Sequence, residues 1–498
     1  MGRLRVLSSG TVALVLAFAS VHLVGAKTAV PRLTFTKLWT HSHTTPGQLS
    51  EIPAFDRSTN TIWVAGVVGV DVLDADTGTL ITHIDVTAHG AVNSVAIHDG
   101  LAALAVEAAS QSIACPSCDR RNAGKVLFYD TATRTPSSGI NEVEVGSLPD
   151  MLTFTHDGRT LLVVNEATPN VAADTPYSSV DPPGSVSVID VATRTVIATP
   201  VLTDAPTSGT NLRMPISTGM DFEPEYIAVN DKDTLAFVTV QEANGLAVLD
   251  LRTYEFTNLI GLGAKDFNVV GNEIDPKDDD NEVLFRRVAA KGFYMPDGIA
   301  TYTHQGKTYL VMANEGDFRE DNADRSAASS FGAVAPLDRL RVSNRDSSAG
   351  NLFATGARSF SIRTTSGELV YDSGSILDRE AHERLIYDDG RSRDKGVEPE
   401  GVALLKIEGR TYAFVGLERV TQAAVAIFDI TDPAETRFVD MIVTTGDLSP
   451  EGLAAYKYRG SYYLAIANEV VAAAAGATTT HTTLYLLEGV RVHDEEDD

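Results

Sequence analysis

Cysteine is almost absent from this 498-residue chain, which contains only Cys115 and Cys118. The two form a C-x-x-C motif, which in a cytosolic protein indicates thiol redox chemistry or half of a zinc site. No second C-x-x-C motif and no histidine pair follows it. In an exported protein the same motif indicates a local disulfide that pins a loop, and a Cys115–Cys118 disulfide is our prediction.

Positive charge is also scarce. The chain has 40 Lys and Arg against 67 Asp and Glu, which gives a formal net charge of -27. This balance argues against nucleic acid and anionic membranes as partners and favours solubility or cation binding. N-x-[ST] sequons are missing as well, so N-glycosylation is not expected.

Long apolar runs are limited to one stretch near the N-terminus, from Val12 to Val24, which follows Arg3 and Arg5. The run is short for a bilayer-spanning helix, and small residues follow it. We therefore predict a secretory signal peptide over residues 1–26, with an uncleaved anchor as the alternative. Residues 491–498 form an acidic tail without the apolar segment of a lipid anchor, so we expect an exported protein with no transmembrane segment.

Common catalytic motifs are absent too. There is no Walker A loop, no G-x-S-x-G elbow, no H-E-x-x-H and no G-x-G-x-x-G. The 11 histidines are scattered, and our interpretation is that none falls at metal-ligand spacing on a shared element.

A repeat dominates what the sequence does contain. Its clearest copy, from Val397 to Arg419, has a Pro-acid start, two short apolar strands joined by a tight turn, and a closing Leu-Glu. Six further copies, two of them looser, begin near Ile52, Val92, Pro149, Pro224, Pro296 and Pro450. Such self-similarity indicates a repeat architecture.

Two more strands follow in most copies. The third strand ends in an acid, such as Asp130 or Asp190, and these acids lie 56 to 60 residues apart in regular stretches. Four short strands in each of seven copies predict an all-β, seven-bladed β-propeller over residues 27–490, which we expect to be a monomer. The last copy lacks a fourth strand, and the segment from Leu33 to Thr40 is predicted to supply it and close the ring.

Three long polar stretches interrupt the repeat: Lys265 to Lys291, Phe318 to Asn351 and Ser373 to Lys395. Loops of this length in a compact fold are usually functional or disordered.

Recurring acids give the main candidate site. The Pro-acid motif starts strand one and the Asn-Glu motif ends strand two, so both lie at one face of a propeller, near its channel. The acids predicted there are Glu107, Asp150, Glu166, Glu225, Glu242, Asp297, Glu315, Glu400, Glu418, Glu451 and Glu469.

So many carboxylates repel one another, and unpaired ones would be protonated at neutral pH. A hard cation such as Ca²⁺, basic side chains or backbone N–H groups could relieve the repulsion. Arg319, Arg358, Lys395 and Arg419 are the candidate basic partners. The alternative is that each Glu only braces its blade against the next loop.

A second cation candidate is the run that contains Asp275, Asp278 and Asp280. Its alternating oxygen ligands suit Ca²⁺, but it lacks the Gly at position six and the closing Glu of an EF-hand loop. A solvated charge run is the alternative.

Several long segments resemble the choice-of-anchor I domain family: GSLPDMLTFTHDGRTLLVVNEA, MPDGIATY, YLVMANEGDFRE, DKGVEPEGVA, YAFVGLER and SPEGLAAY. The likeness runs from about Leu33 to about Gly489 and implies an exported propeller of the WD40/YVTN type. The family includes mesenchyme-specific cell-surface glycoproteins linked to biomineralisation and exported proteins labelled atypical alkaline phosphatases.

The resemblance implies two functions. One is a secreted module that binds Ca²⁺, mineral or an extracellular protein through its acidic face. The other is a calcium-dependent phosphohydrolase, in which the four basic residues hold phosphate. This chain lacks the C-terminal anchor and the glycosylation sequons that the family's names imply.

Overall fold

The computed structural model describes residues 32–108, 119–168, 182–214, 222–280, 282–318, 324–471 and 480–490. The predicted signal peptide, the predicted disulfide, Arg319 and the acidic tail lie outside the described residues. Strand β1 (Arg32–His43) opens the described chain.

Seven four-stranded antiparallel units follow one another along the chain. The first comprises β2 (Pro53–Asp56), β3 (Thr61–Gly66), β4 (Gly69–Asp74) and β5 (Leu80–Asp85). The second comprises β6 (Ala91–His98), β7 (Leu101–Glu107), β8 (Ala123–Asp130) and β10 (Glu142–Ser147), with β9 (Thr135–Pro136) beside β8. The third comprises β11 (Pro149–Phe154), β12 (Thr160–Asn165), β13 (Ser185–Asp190) and β14 (Thr195–Ala198).

The fourth to sixth sheets repeat this order. The fourth comprises β16 (Pro224–Val229), β17 (Leu235–Val240), β18 (Gly245–Asp250) and β19 (Glu255–Leu262), with β15 (Thr207–Thr210) parallel to β19. The fifth comprises β22 (Ile299–His304), β23 (Lys307–Asn314), β27 (Ser359–Thr364) and β28 (Leu369–Asp372). The sixth comprises β29 (Pro399–Ile407), β30 (Arg410–Leu417), β31 (Ala423–Asp429) and β32 (Arg437–Thr444).

The seventh sheet joins the two ends of the described chain. It comprises β33 (Asp447–Tyr458), β34 (Ser461–Val471) and β35 (Thr480–Val490), followed by β1 as its fourth strand. β1 pairs with β35 in antiparallel register, from Arg32 opposite Val490 to His43 opposite Thr480. The predicted pairing of the N-terminal strand with the last repeat is therefore confirmed.

The three polar stretches contain strands or a helix and are not entirely irregular loops. Segments from two of them form a small sheet of β20 (Ala264–Asp266), β21 (Lys291–Phe293), β24 (Arg325–Ala327), β25 (Arg341–Ser343) and β26 (Phe353–Ala354). The third stretch contains helix α1 (Ile376–Glu383). Short 3-10 helices lie at Leu202–Asp204, Ala328–Phe331, Asp389–Arg391 and Pro433–Glu435. Across the described segments, no helix combines the length and apolarity that a bilayer crossing requires.

Apolar clusters lie between each pair of consecutive sheets. In β12, Leu161 and Val163 pack toward the second sheet, whereas Leu162 and Val164 pack toward the fourth. Because successive strand residues point to opposite faces, a strand buried on both faces must be apolar throughout. A further cluster joins Ile62 and other residues of the first sheet to the seventh. The result is an all-β, propeller-like arrangement.

First strands also meet one another. β2 contacts β6, and contacts continue through β11, β16, β22, β29 and β33, which in turn contacts β2. This order brings the starts of the seven first strands together.

The third-strand acids have the turn-forming role that is usual for Asp. Asp130 Oδ1 accepts hydrogen bonds from the backbone N of Thr133 at 2.7 Å and from its hydroxyl at 3.0 Å. Asp190 makes the same two bonds to Thr193. These side chains stabilise the turns between third and fourth strands.

Candidate functional site

Six first strands carry a carboxylate at the same position of the repeat. We call this set the first-strand acids: Glu51, Asp150, Glu225, Asp297, Glu400 and Glu451. The second sheet has Asn93 at this position, beside the register shift of β6. The repeat therefore presents six carboxylates and one amide from seven sheets.

Glu51 is a member that the sequence interpretation missed. Its backbone N donates to the carbonyl of Ala65, whose N donates to the carbonyl of Ile52. Asp297 makes the same pair of bonds with Ala313. The predicted first copy begins at Ile52, one residue after Glu51, and therefore omits the equivalent acid.

A second set of acids, the second-strand acids, lies where the second strands end: Glu107, Glu166, Glu315, Glu418 and Glu469. In the fourth sheet Pro224 pairs with Val240 as Pro149 pairs with Asn165, so Gln241 occupies the position of Glu166 in the register. The predicted Glu242 follows directly. Burial and then the charges of Glu166 and Glu242 raise the pKa of Glu225, so Glu242 also lies near the first-strand acids. Gln241 Nε2 donates to Glu315 Oε2 at 2.6 Å.

The two sets of acids converge. Ligand oxygens lie within 4.8 Å of one another in four groups: Asp150–Glu166–Glu225, Asp297–Glu315–Glu400, Glu315–Glu398–Glu418 and Glu418–Glu451–Glu469. Nine of the eleven predicted acids occur in these groups. The first group also lies near the second, because the charge of Asp297 contributes to the raised pKa of Asp150 after burial and Glu166. We call this region the acidic mouth.

A cavity of about 220 Å³ opens within the acidic mouth. First-strand acids line it from three sheets, together with the second-strand acid Glu107, Asn93, Arg120 and Tyr226. Arg120 Nε lies 3.6 Å from Glu107 Oε2. The cavity is large enough for hydrated ions, and charged or polar groups dominate its wall.

Glycine follows three first-strand acids because neighbouring backbones approach closely there. A Cβ built on Gly298 would lie 2.6 Å from the carbonyl oxygen of Glu400, and one on Gly401 would lie 2.2 Å from that of Glu451. A Cβ on Gly452 would lie 2.5 Å from the carbonyl oxygen of Glu51. At these three positions the glycine that follows an acid allows its backbone to pack closely against the backbone of the first-strand acid in the next sheet.

The backbone just before the first-strand acids is repeatedly left-handed. Leu148, Met295, Glu398 and Ser449 have φ values between 44° and 51°, and each lies two residues before such an acid. Residues other than Gly rarely adopt this conformation, and it costs on the order of 1–3 kcal/mol. Its recurrence at the same place indicates that the fold holds these acids in a fixed orientation.

Burial perturbs the acids strongly. Burial, reinforced by neighbouring carboxylates, raises the pKa values of Glu51, Asp150, Glu225, Glu400 and Glu451 well above the ordinary range. The pKa of Asp297 is raised to about 6 by burial, against the effects of Glu400 and Lys395.

The second-strand acids behave similarly. Burial raises the pKa of Glu107 to about 8 although Arg120 opposes it, and that of Glu315 to about 8 although Lys395 opposes it. The pKa of Glu418 rises to about 7 for the same reason, against Arg419. Without a cation, several acids of the mouth therefore hold protons at neutral pH.

Asp297 and Glu400 are first-strand acids of adjacent sheets, and their carboxylate oxygens lie within 4.8 Å of each other and of Glu315. Glu400 Oε2 is buried and has no hydrogen-bond partner. A carboxylate oxygen in this state is an acceptor for which the protein supplies no donor.

Lys395 is the main buried cation of the acidic mouth. Its Nζ lies 2.6 Å from Glu315 Oε1, 2.9 Å from Glu398 Oε2 and 3.5 Å from Asp317 Oδ2. The positive charge of the ammonium group is therefore shared among three carboxylates. Arg419 is 46% exposed and pairs with Glu418 at 2.7 Å. Two of the four predicted basic residues, Lys395 and Arg419, therefore contact acids of the mouth.

Arg358, predicted as a substrate-binding residue, lies elsewhere. Its guanidinium is buried and donates to the backbone carbonyls of Asp275, Ser392 and Asp394 at 2.6–3.1 Å. It also lies 3.6 Å from Asp378. Such a guanidinium fastens the loops around α1 and does not face the mouth.

The second predicted cation site is held together by ion pairs. Asp278 accepts from Arg339 at 2.6 and 3.0 Å and lies 3.0 Å from Arg393. Asp280 lies 3.5 Å from Lys277. Asp275 accepts from the backbone N of Lys277 and of Leu284, which caps a turn. These three acids do not converge on one point, so the prediction of a Ca²⁺ loop is not supported by their geometry.

Glu398 is another member of the site that sequence interpretation missed. It is 1% exposed and binds Lys395 and the guanidinium of Arg391, whose Nε donates at 2.6 Å. The sequence did contain a signal for Glu398, because Pro399 of the repeat motif lies between Glu398 and Glu400.

Comparisons with known proteins give two sequence matches. The family model of the choice-of-anchor I domain matches residues 51–433. A mesenchyme-specific cell surface glycoprotein of Strongylocentrotus purpuratus is 24% identical over 304 residues, which cover 48% of this chain and 38% of that protein. The matched part therefore spans well under half of the relative's length.

Two solved structures have a partial likeness to the chain. Kuenenia stuttgartiensis hydrazine synthase is 12% identical, with a TM-score of 0.48 and coverage of 86% of this chain and 94% of that one. A chain of the mitotic checkpoint complex is 12% identical, with a TM-score of 0.46 and coverage of 96% and 99%.

Proposed function

The chain belongs to the choice-of-anchor I domain family, and on that premise we propose that it is an extracellular or surface-located protein that binds Ca²⁺ at its acidic mouth. The likeness to a cell surface glycoprotein supports this location. The carboxylates of the mouth are the hard oxygen ligands that Ca²⁺ prefers.

We further propose that the seven four-stranded sheets are the blades of one closed propeller. First-strand contacts that return from β33 to β2 support closure, as does the apolar cluster between the seventh and first sheets. A closed ring also explains why acids from sheets distant in sequence meet in one mouth.

One observation carries the Ca²⁺ proposal. Asp297 and Glu400 belong to different sheets, their carboxylate oxygens lie within 4.8 Å of each other, and Glu400 Oε2 is buried without a hydrogen-bond partner. Two buried carboxyls in contact need either a proton or a cation between them. A Ca²⁺ ion would bind both, and its six to eight ligands could include water and further acids of the mouth.

The competing role for the acids is bracing by protonated pairs, which needs no ion. Phosphoester hydrolysis, the other function that the resemblance implies, needs cationic groups that are available to phosphate. Lys395 is surrounded by three carboxylates and Arg358 by backbone carbonyls, so neither supports that function. The proposal is therefore a binding protein.

Calorimetric titration of Ca²⁺ into chelator-treated protein tests this proposal. We expect saturable binding with Kd of about 1 mM or tighter, the range of extracellular Ca²⁺ modules. The Glu400→Gln, Glu451→Gln double variant should bind at least about tenfold more weakly, because two ligand charges are lost.

The matched control is Asp130→Asn, Asp190→Asn, which removes the same charge from two exposed turns and should leave Ca²⁺ affinity unchanged. Equal weakening in both double variants would show that net charge, not the mouth, attracts the ion. Absence of binding at millimolar Ca²⁺ would leave the acids as braces. A phosphomonoester assay on the same sample should show no turnover, and turnover would favour the enzyme.

A further inference from the structure

A second kind of possible metal-ligand group, which shares no residue with the four groups of the acidic mouth, lies between the seventh and first sheets. It comprises His41 and His43 of β1 and Asp71 of β4, whose ligand atoms lie within 4.8 Å of one another. The two histidines are two residues apart on one strand, so they share a face. Asp71 comes from the neighbouring sheet and completes the group.

Outer contacts fix the orientation of two of these side chains. Asp71 is 1% exposed, and its Oδ1 lies 2.7 Å from His83 Nδ1. His43 Nε2 lies 2.8 Å from the Thr482 hydroxyl, which lies 2.9 Å from that of Ser50. Supporting hydrogen bonds of this kind orient the ligands of metal sites.

His41 is the member whose hydrogen bonding is incomplete. Its Nε2 is buried and has no hydrogen-bond partner. Its ring centroid lies 4.9 Å from that of His43. Buried polar atoms normally have a partner, so this nitrogen calls for an explanation.

We propose that His41, His43 and Asp71 bind a transition-metal ion of the zinc class. Two imidazoles and one carboxylate are a donor set that Zn²⁺ uses with an open fourth position, and imidazole nitrogen favours such ions over Ca²⁺. The ligands are His41 Nε2, His43 Nδ1 and one carboxylate oxygen of Asp71. Bonds to the metal would replace the 2.6 Å hydrogen bond that now joins His43 Nδ1 to Asp71 Oδ2. The proton of His43 would then lie on Nε2, which would donate it to the Thr482 hydroxyl oxygen 2.8 Å away.

This site corrects the sequence interpretation that the histidines show no metal-ligand spacing. His-x-His on a strand places both rings on one face, but the third ligand is 28 residues further along the chain from His43. Only the docking of β1 onto the last sheet brings the two histidines to Asp71.

Titration of Co²⁺ into the chelator-treated full chain tests the proposal through the visible absorption of the bound ion. We expect one equivalent to bind, with the absorption of low-coordinate cobalt, and Zn²⁺ but not Ca²⁺ to displace it. His41→Gln and Asp71→Asn should each weaken binding by at least about tenfold. His156→Gln is the matched control, because His156 forms a single pair with Asp233 at 2.7 Å on an exposed turn.

Binding that His41→Gln and Asp71→Asn leave unchanged, or absence of stoichiometric binding, would overturn the proposal. X-ray absorption spectroscopy of the unaltered protein with one equivalent of Zn²⁺ gives a test that does not depend on a variant's folding. It should show scattering from two imidazoles, with Zn–N distances of about 2.0–2.1 Å. A shell of oxygen ligands alone would place the zinc in the acidic mouth and contradict the assignment.

Discussion

At the scale of single residues, the acidic mouth depends on how its buried carboxyls are neutralised. Bound protons and the ion pairs of Lys395, Arg419 and Arg120 each neutralise part of the negative charge. A bound metal cation would neutralise more of it. Because these neutralising agents compete, changes in pH and single substitutions should have effects whose direction the geometry predicts.

Stability of the metal-free protein should fall as pH rises. The pKa values of Asp297, Glu418, Glu107 and Glu315 are raised to between about 6 and about 8, whereas unfolded Asp and Glu have values of about 3.9 and 4.3. The folded protein therefore binds more protons than the unfolded chain, and the resulting stability is lost between about pH 5 and pH 8. Thermal unfolding followed by calorimetry should show this fall.

Saturating Ca²⁺ should flatten that pH profile, since the ion binds ionised carboxylates and stabilises the folded state more as pH rises. A melting temperature in chelator that rises or stays constant from pH 5 to pH 8 would contradict the raised pKa values.

Replacement of Lys395 should be strongly destabilising. Lys395→Met leaves Glu315, Glu398 and Asp317 without their shared cation, and removal of one partner from a buried ion pair costs about 3–5 kcal/mol. Urea denaturation would measure the change in the free energy of unfolding.

Lys125→Met is the matched control, because Lys125 pairs with the exposed Glu142 at 2.7 Å. An exposed pair contributes about 0–1 kcal/mol. Similar losses in the two variants would argue that Lys395 is not a central neutralising group.

At the scale of strands, the repeat was predictable and its irregular parts were not. Apolar, twice-buried second strands and acid-terminated third strands follow directly from residue order, and they match β12 and β13. In the fourth sheet the register places Gln241 where other sheets have the second-strand acid, and residue order alone could not show this shift.

The small sheet could not be predicted, because its strands have two or three residues each and pair across long separations. Lys291 lies opposite Phe353, for example. Such strands are too short to show a period of two. The apolar residues that cover them, including Phe267 and Leu340, form a cluster whose members are dispersed through polar sequence.

Strand β1 gives a prediction for the joining of the chain's ends. Leu33 is 4% exposed and packs in the cluster between the sixth and seventh sheets, whereas Leu38 on the same strand is 44% exposed. Leu33→Ala should lower the free energy of unfolding by about 2–5 kcal/mol, and Leu38→Ala by no more than about 0.5 kcal/mol. Urea denaturation of both variants would measure this contrast, and equal effects would show that β1 does not pack as described.

At the scale of the whole molecule, the net charge of -27 and the acidic mouth act in the same direction. An acidic surface concentrates cations and repels nucleic acid and anionic membranes. The sequence predicted the convergence of the acids because a repeat gives equivalent residues equivalent positions in successive sheets. It could not predict which acids are already neutralised, since Lys395 and Arg391 reach the mouth from a long insertion.

The most direct test of the central claim is a crystal structure of the chelator-treated protein after soaking in CaCl₂. We predict anomalous density for at least one ion in the acidic mouth, about 2.3–2.6 Å from carboxylate oxygens of two different sheets, with Asp297 and Glu400 among the ligands. Ordered carboxyls in direct contact, with no ion among them at saturating Ca²⁺, would contradict the account and identify the acids as protonated braces.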